Sequence, residues 1–227
     1  SQDDRLRLSF GLLSLDQDFV VAPAYNAYLF SSINNTLNLN ILGLPITPFI
    51  APGGIVRWRT PGLGEWRLGG YWLDPEMALA SLFGVDPGLP QVRGDLQLLE
   101  WTWQPSAGQV RYRSPIQLAD GRRINRQLPP PLLHLGALRS HVTRVSSSAI
   151  NAPALPAAGM ELLNRVAYGS LTLPASLPIG LDNRLWGAVQ LGFDPVANPT
   201  PLFLAGGWLC QGPLRQRPLD VLALGVA

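Results

Sequence analysis

"GGIVRWRTPGLGEWRLGGYWLD" (53–74) sets arginines two residues apart, breaks at a short Pro/Gly turn, then resumes the same beat. Arg57 and Arg59 alternate with Val56 and Trp58 before the break, and Arg67 alternates with Trp66 and Leu68 after it. A two-residue period belongs to strands with two unlike faces, and "PGLG" at 61–64 is turn chemistry. The stretch therefore predicts two antiparallel strands joined tightly. In a soluble sheet the indoles would face a core and the guanidinium groups would face water; in a membrane-spanning barrel the faces exchange meaning. Alternation alone leaves both arrangements open.

The same beat recurs along the chain. "RLRLSFGLL" (5–13) sets Arg5, Arg7, Ser9 and Gly11 against Leu6, Leu8, Phe10 and Leu12. Comparable runs lie at 53–60, 65–74, 95–104, 109–114, 184–193, 201–211 and 220–227, with weaker ones at 132–143 and 160–172. These make about ten strands. Only "DPEMALASLFG" (74–84) has helical character. On 95–104, Glu100, Thr102 and Gln104 oppose Leu99, Trp101 and Trp103; on 184–193, Arg184, Ala188 and Gln190 oppose Leu185, Val189 and Leu191. Large apolar residues gather on one face and small, polar or charged residues on the other.

Composition narrows the class. Of 227 residues 47% are apolar and only 14% charged, against roughly 25% charged in ordinary domains. Gly (23) and Pro (22) make up about a fifth of the chain, which opposes long helices and supplies turns. Every basic residue is an arginine. The net charge is +2 and no basic run exceeds Arg122-Arg123, so nucleic acid is not an expected partner. A single Cys210 excludes an internal disulfide. The chain starts with the polar "SQDDR", with no visible signal peptide, and contains no apolar run long enough for a membrane helix.

The connections alternate in length. Residues 15–52, 75–94 and 115–131 are long, whereas 61–64 and 105–108 ("PSAG") are tight. Outer-membrane barrels show this rhythm, with long loops outside and short turns on the periplasmic side. One segment breaks it: 144–159 falls where a tight turn is expected. Trp58, Trp66, Trp72, Trp101, Trp103, Trp186 and Trp208 lie within or near the ends of strands, as aromatic girdles require.

Three stretches carry a family resemblance. "LSFGLLSLDQDFVVAPAYNAYLFSSINN", "APGGIVRWRTPGLGEWRLGGYWLDPE" and "LLEWTW" resemble the carbohydrate-selective outer-membrane porins of the OprB type. The final "LWGAVQLGFDPVANPTPLFLAGGWLCQGPLRQRPLDVLALGVA" is similar to the same family and is the more specific match. The resemblance implies an all-β fold, a transmembrane antiparallel barrel of about sixteen strands. Residues 1–227 would form a single porin domain, expected to be a segment of the whole because about ten strands are visible and the terminal aromatic residue of such barrels is absent. It also implies a bacterial outer-membrane location, lipid as surroundings, sugars and small polar solutes as cargo, and, by analogy, a homotrimer.

Carried over position by position, the resemblance makes Arg57, Arg59 and Arg67 lumen-facing and sets Asp16 and Asp18 at the mouth of the first long loop. Glu100 matches an acidic strand position. Tyr25 and Tyr28 offer a stacking surface. Sugar hydroxyls call for planar donors and carboxylate acceptors, and conduction needs each contact weak enough to release the solute. The same arginines could instead pair with neighbouring carboxylates and stiffen the wall. No cofactor or metal site is expected. His134 and His141, seven apart, face opposite sides of a strand, "SSS" (146–148) lacks a nucleophile elbow, and "APGG" and "AGG" fit no phosphate loop. Two rivals to the channel remain: a soluble all-β carbohydrate-binding module with buried tryptophans, and a glycosidase fragment drawing on Asp16, Asp18, Glu65 or Glu100.

Overall fold

In a computed structural model of the protein, describing residues 5–15, 18–20, 22–28, 50–74, 92–105, 114–144, 159–198, 201–214 and 216–226, the 53–74 stretch is a hairpin. Its strands are β2 (Ala51–Thr60) and β3 (Gly64–Leu73). Around them run β1 (Leu6–Leu13), β4 (Val92–Trp103), a two-residue hairpin of β5 (Ile116–Gln117) and β6 (Arg123–Ile124), β7 (Leu132–Arg144), β8 (Glu161–Pro174), β9 (Asp182–Gly192), β10 (Leu202–Gln211) and β11 (Val221–Val226). Nine of them build one sheet in the order β1-β2-β3-β4-β7-β8-β9-β10-β11, antiparallel at every junction. The sheet does not close on itself among the described residues. The one helical element described is a 3-10 turn, Tyr25–Ala27. The helix expected at 74–84 and the strand expected at 109–114 fall, but for Asp74 and Ser114, outside the described residues.

The topology revises the loop rhythm. Because β4 pairs directly with β7, residues 104–131 form one connection at the same end as the tight turn 61–63. The link from β7 to β8 then starts and finishes at the opposite end, as do those from β1 to β2 and from β3 to β4, and its length is no longer an exception. The end holding 61–63, 104–131, 175–181 and 212–220 is called the turn end below, and the other the loop end.

The two faces differ in exposure. Leu8, Phe10, Trp58, Leu68, Trp72, Leu185 and Leu204 are exposed on the outer face, Phe10 at 76% and Trp58 at 57%. The inner face is covered. Leu15 and Phe19, from the segment after β1, pack on Ile55, Tyr71, Leu96, Leu98, Leu138 and Val166. Phe19 meets Tyr71 edge-on at 6.5 Å between ring centroids. A second cluster joins Tyr25 and Tyr28 to Leu128, Trp186 and Leu209. Two expectations change here. The inner face carries large aliphatic residues beside its polar ones, because a chain segment folds onto it and needs an apolar seat. Trp186 belongs to this inner face, buried beneath Tyr28, and not to an outer girdle.

Phe19 has room only because position 69 is glycine: a Cβ there would stand 2.6 Å from its ring, whereas one on the outward Gly70 would meet nothing within 4 Å. Gly69→Ala is expected to lower stability by about 1–3 kcal/mol through overpacking, and Gly70→Ala to leave it unchanged or slightly raised. Thermal melts of the two variants followed by circular dichroism check the contrast.

Candidate functional site

Register places most of the candidate residues in one line. Arg7, Arg57, Arg67, Glu100, Gly136, Tyr168 and Gln190 are consecutive cross-strand partners from β1 to β9, all on the inner face. Directly opposed residues on one face lie about 5 Å apart, so this line is a continuous strip of interacting groups.

Glu100 is its centre. Its carboxylate is buried to 1% exposure and accepts bonds from three directions. The Tyr168 hydroxyl donates at 2.9 Å, Arg67 Nη1 at 3.3 Å, and the backbone N–H of Val20 at 2.7 Å. His134 Nε2 stands 2.9 Å from Oε2 without hydrogen-bond alignment. A buried carboxylate is tolerable when its lone pairs are filled by a cation and several donors, and this one is. Gly136 makes the tyrosine contact possible, since any Cβ between Glu100 and Tyr168 would overlap the phenol ring.

The same cluster fastens the in-folded segment. Arg67 Nη1 also donates to the Asp18 carbonyl at 2.6 Å, and Arg57 forms an ion pair with the Asp18 carboxylate. Val20, whose N–H reaches Glu100, has φ 66°, a left-handed conformation that a β-branched residue adopts only under constraint. Strain at this point marks a segment held to the wall by its polar contacts as well as by Phe19.

Arg59 stands at the margin. Its guanidinium bonds Glu65 Oε2 at 2.8 Å, while Arg67 Nε takes Oε1 of the same carboxylate at 2.7 Å. With its side chain 67% exposed, Arg59 is the most accessible of the three arginines. The structure thus brings together Arg57, Arg67, Glu100 and Asp18 and links Arg59 through Glu65. Tyr25 and Tyr28 lie in the other cluster, packed edge-on to Trp186 at 5.5 and 5.4 Å between centroids. The Tyr28 hydroxyl accepts from the Trp186 indole at 2.7 Å and donates to the Leu224 carbonyl at 2.9 Å, and burial pushes its phenol upward in pKa. Asp16 lies outside the described residues.

A second polar centre, missed from the sequence, occupies the turn end. Arg184, fully buried, donates to Asp182 at 2.6 and 2.9 Å and to the Pro129 carbonyl at 2.8 Å. Arg126 adds 2.6 Å to Asp182. Gln211 accepts from the Gln127 N–H at 2.9 Å and donates to the Asn125 carbonyl at 3.0 Å. These contacts draw residues 125–130 onto the inner ends of β9 and β10. The available signal was parity: Arg184 and Gln211 share the polar parity of their strands. No cluster of potential metal ligands occurs among the described residues.

The chemistry on offer is hydrogen bonding without a reacting group set apart: guanidinium donors and carboxylate acceptors side by side, partly open at Arg57 and Arg59. No family model matches the sequence, and no curated protein matches it. Among solved structures, Pseudomonas putida OprB, in its high-pH form, matches 98% of this chain and 50% of its own with a TM-score of 0.63 at 17% identity. The chain spans about half the length of that protein. The likeness is one of fold, and it agrees with the family that the sequence stretches resemble: the nine-stranded sheet is a porin-like wall.

Proposed function

We propose that this chain forms the wall of a bacterial outer-membrane channel through which sugars and other small polar solutes diffuse passively, no bond being made or broken. The observation that carries this reading is the outer face. Exposed Leu, Val and Trp side chains line strands of 10 and 11 residues such as β3 and β9, the length a tilted membrane strand needs. Exposed Leu, Phe and Trp side chains on neighbouring strands form a contiguous apolar face of the kind that marks a membrane or interaction surface, which counts against a soluble sugar-binding module.

Tryptophan placement supports the same reading. Trp58, Trp66 and Trp101 are cross-strand neighbours near the turn end, facing outward. The Trp101 and Trp103 indoles donate to the Leu63 and Gly62 carbonyls of the tight turn at 2.7 and 3.2 Å. An amphipathic ring with its apolar body against lipid and its N–H toward the interface is how a girdle residue sits. The turn end is then the periplasmic side. On the inner face, the partly open Arg57 and Arg59 supply donors that hydroxylated solutes exchange for water, while Arg67 and the buried Glu100 hold the segment anchored at Asp18 and Val20, which narrows the path.

Two outcomes test this. In planar bilayers, Arg57→Ala/Arg59→Ala removes two positive charges and is expected to shift ion selectivity toward cations by on the order of two-fold, with weaker block by sugars. Unaltered selectivity and block would take these arginines out of the solute path. Glu100→Ala leaves the Val20 N–H and the Tyr168 hydroxyl without their acceptor while Arg67 keeps Glu65, so a stability loss of about 1–3 kcal/mol per orphaned group is expected together with a larger single-channel conductance, as the anchored segment loosens. Glu100→Gln keeps an acceptor for Val20 and should fall between. Conductance equal to that of the wild type in Glu100→Ala would show that the segment does not narrow the path.

A further inference from the structure

The inner face is covered unevenly. In the main sheet from β3 to β10, the inward side chains are buried or half-buried, apart from Pro174 at the tip of β8. Two in-folded segments lie over them. The segment after β1 runs from Phe19, edge-on to Tyr71, as far as Tyr28, whose hydroxyl reaches the Leu224 carbonyl on β11. Leu128, from the connection at the turn end, meets it beside Trp186. On β1 and β2, by contrast, three inward side chains stay exposed, and all three are arginines: Arg5, Arg7 and Arg59. Arg57 lies half-buried among them.

Register sets these four groups in a block. Arg7 stands directly opposite Arg57. The Arg59 N–H donates to the Arg5 carbonyl at 2.8 Å, which carries the same pairing one residue further and sets Arg5 opposite Arg59. Like charges directly opposed on one face of a sheet are unfavourable. Carboxylates offset part of the repulsion: Arg57 pairs with Asp18, and Glu65 is shared by Arg59 and by Arg67, which also reaches Glu100. Arg5 and Arg7 have no carboxylate partner among the described residues. Five guanidinium groups therefore face three carboxylates, and the surplus positive charge sits at the exposed corner.

Resting on the channel reading above, we propose that this corner is an anion subsite in the solute path, and that the solute it favours is a sugar acid: a polyhydroxylated molecule carrying one carboxylate. A carboxylate accepts two parallel bonds from a guanidinium fork and relieves the repulsion between opposed arginines. A neutral sugar takes hydrogen bonds from the same donors and leaves that repulsion in place. A doubly charged phosphate would be held harder than conduction allows, because each contact must release the solute. Exposure of Arg5, Arg7 and Arg59 to water and salt keeps the hold on a single carboxylate weak. The block reaches from Asp18, where the in-folded segment is fastened, toward the turn end, so a solute entering from the loop end meets it on leaving the narrow part of the path.

Galacturonate and galactose, which differ by one carboxylate, test this as blockers of the full-length protein in planar bilayers. In about 0.1 M salt galacturonate is expected to block at a several-fold lower concentration than galactose, and to lose most of that advantage at about 1 M. Arg5→Ala/Arg7→Ala alters two exposed side chains that do not hold the in-folded segment; it is expected to abolish the advantage while ion conductance persists. Arg5→Glu/Arg7→Glu is expected to reverse it, so that galactose becomes the better blocker. Equal block by the two sugars in a conducting wild-type channel overturns this proposal and leaves the channel reading intact, whereas a protein that never conducts overturns both. An advantage that survives both double variants arises elsewhere and overturns the proposal. Glucose 6-phosphate entering protein-bearing liposomes faster than galacturonate would assign the corner to phosphate, with the same consequence.

Discussion

Strand register is the constraint on which the rest of this structure depends. Side chains alternate along a strand with a period of two, so a slip of one residue between β3 and β4 would turn Glu100 outward and Trp101 inward together. The observed pairing does the opposite for two adjacent rows at once. Arg57, Arg67 and Glu100 share one row on the inner face, and Trp58, Trp66 and Trp101 share the next on the outer face. A slip would bury unmatched indoles among charges and expose a carboxylate to the apolar side. Both errors are costly, so the two rows lock each other.

Two acidic residues then organise what folds against the inner face. Glu100 gathers Arg67, Tyr168 and the Val20 N–H; Asp182 gathers Arg184 and Arg126. Each centre fixes a segment that is not part of the sheet, 18–20 in one case and 125–130 in the other. The arginine-only inventory fits this work. Arg67 serves the Glu65 and Glu100 carboxylates and the Asp18 carbonyl with one planar group, and Arg184 serves Asp182 and two backbone carbonyls. A lysine ammonium offers three donors from a single point and could not span such separated acceptors.

The fold was legible because period-two alternation is strong wherever both faces are under constraint, as at 5–13 and 65–74. Parity showed that Arg57, Arg67, Glu100, Arg184 and Gln190 lie on the polar faces of their strands, and the family resemblance, not parity, implied that this face is the inner one. What parity could not convey is which inner positions are wet. Leu96 and Leu98 share the parity of Glu100, yet they seat Phe19 and Leu15, and only the path of the segment after β1 reveals that. Trp186 failed for the same reason: its parity is inward, but an indole near a strand end invites a girdle assignment until Tyr28 is found above it. The Asp182 centre stayed hidden because its partners at 125–130 lie in a connection with no periodicity.

The edges of the sheet set the last condition. β1 and β11 are its first and ninth strands in an unbroken antiparallel series, so they run in the same direction. In hydrocarbon each must have its backbone groups paired, since an open edge leaves N–H and C=O groups without water. Joining the two edges directly would make a parallel seam with the less favourable slanted bonds. Antiparallel pairing at both edges instead requires an odd number of intervening strands, whatever polypeptide supplies them. A second nine-stranded sheet standing the same way up also offers an odd number, but its edge strands run in the same direction as those they would join, so that both seams would be parallel. Strand direction therefore decides what can complete the wall in a membrane: the hydrogen-bonding edges call for strands entering in the opposite sense.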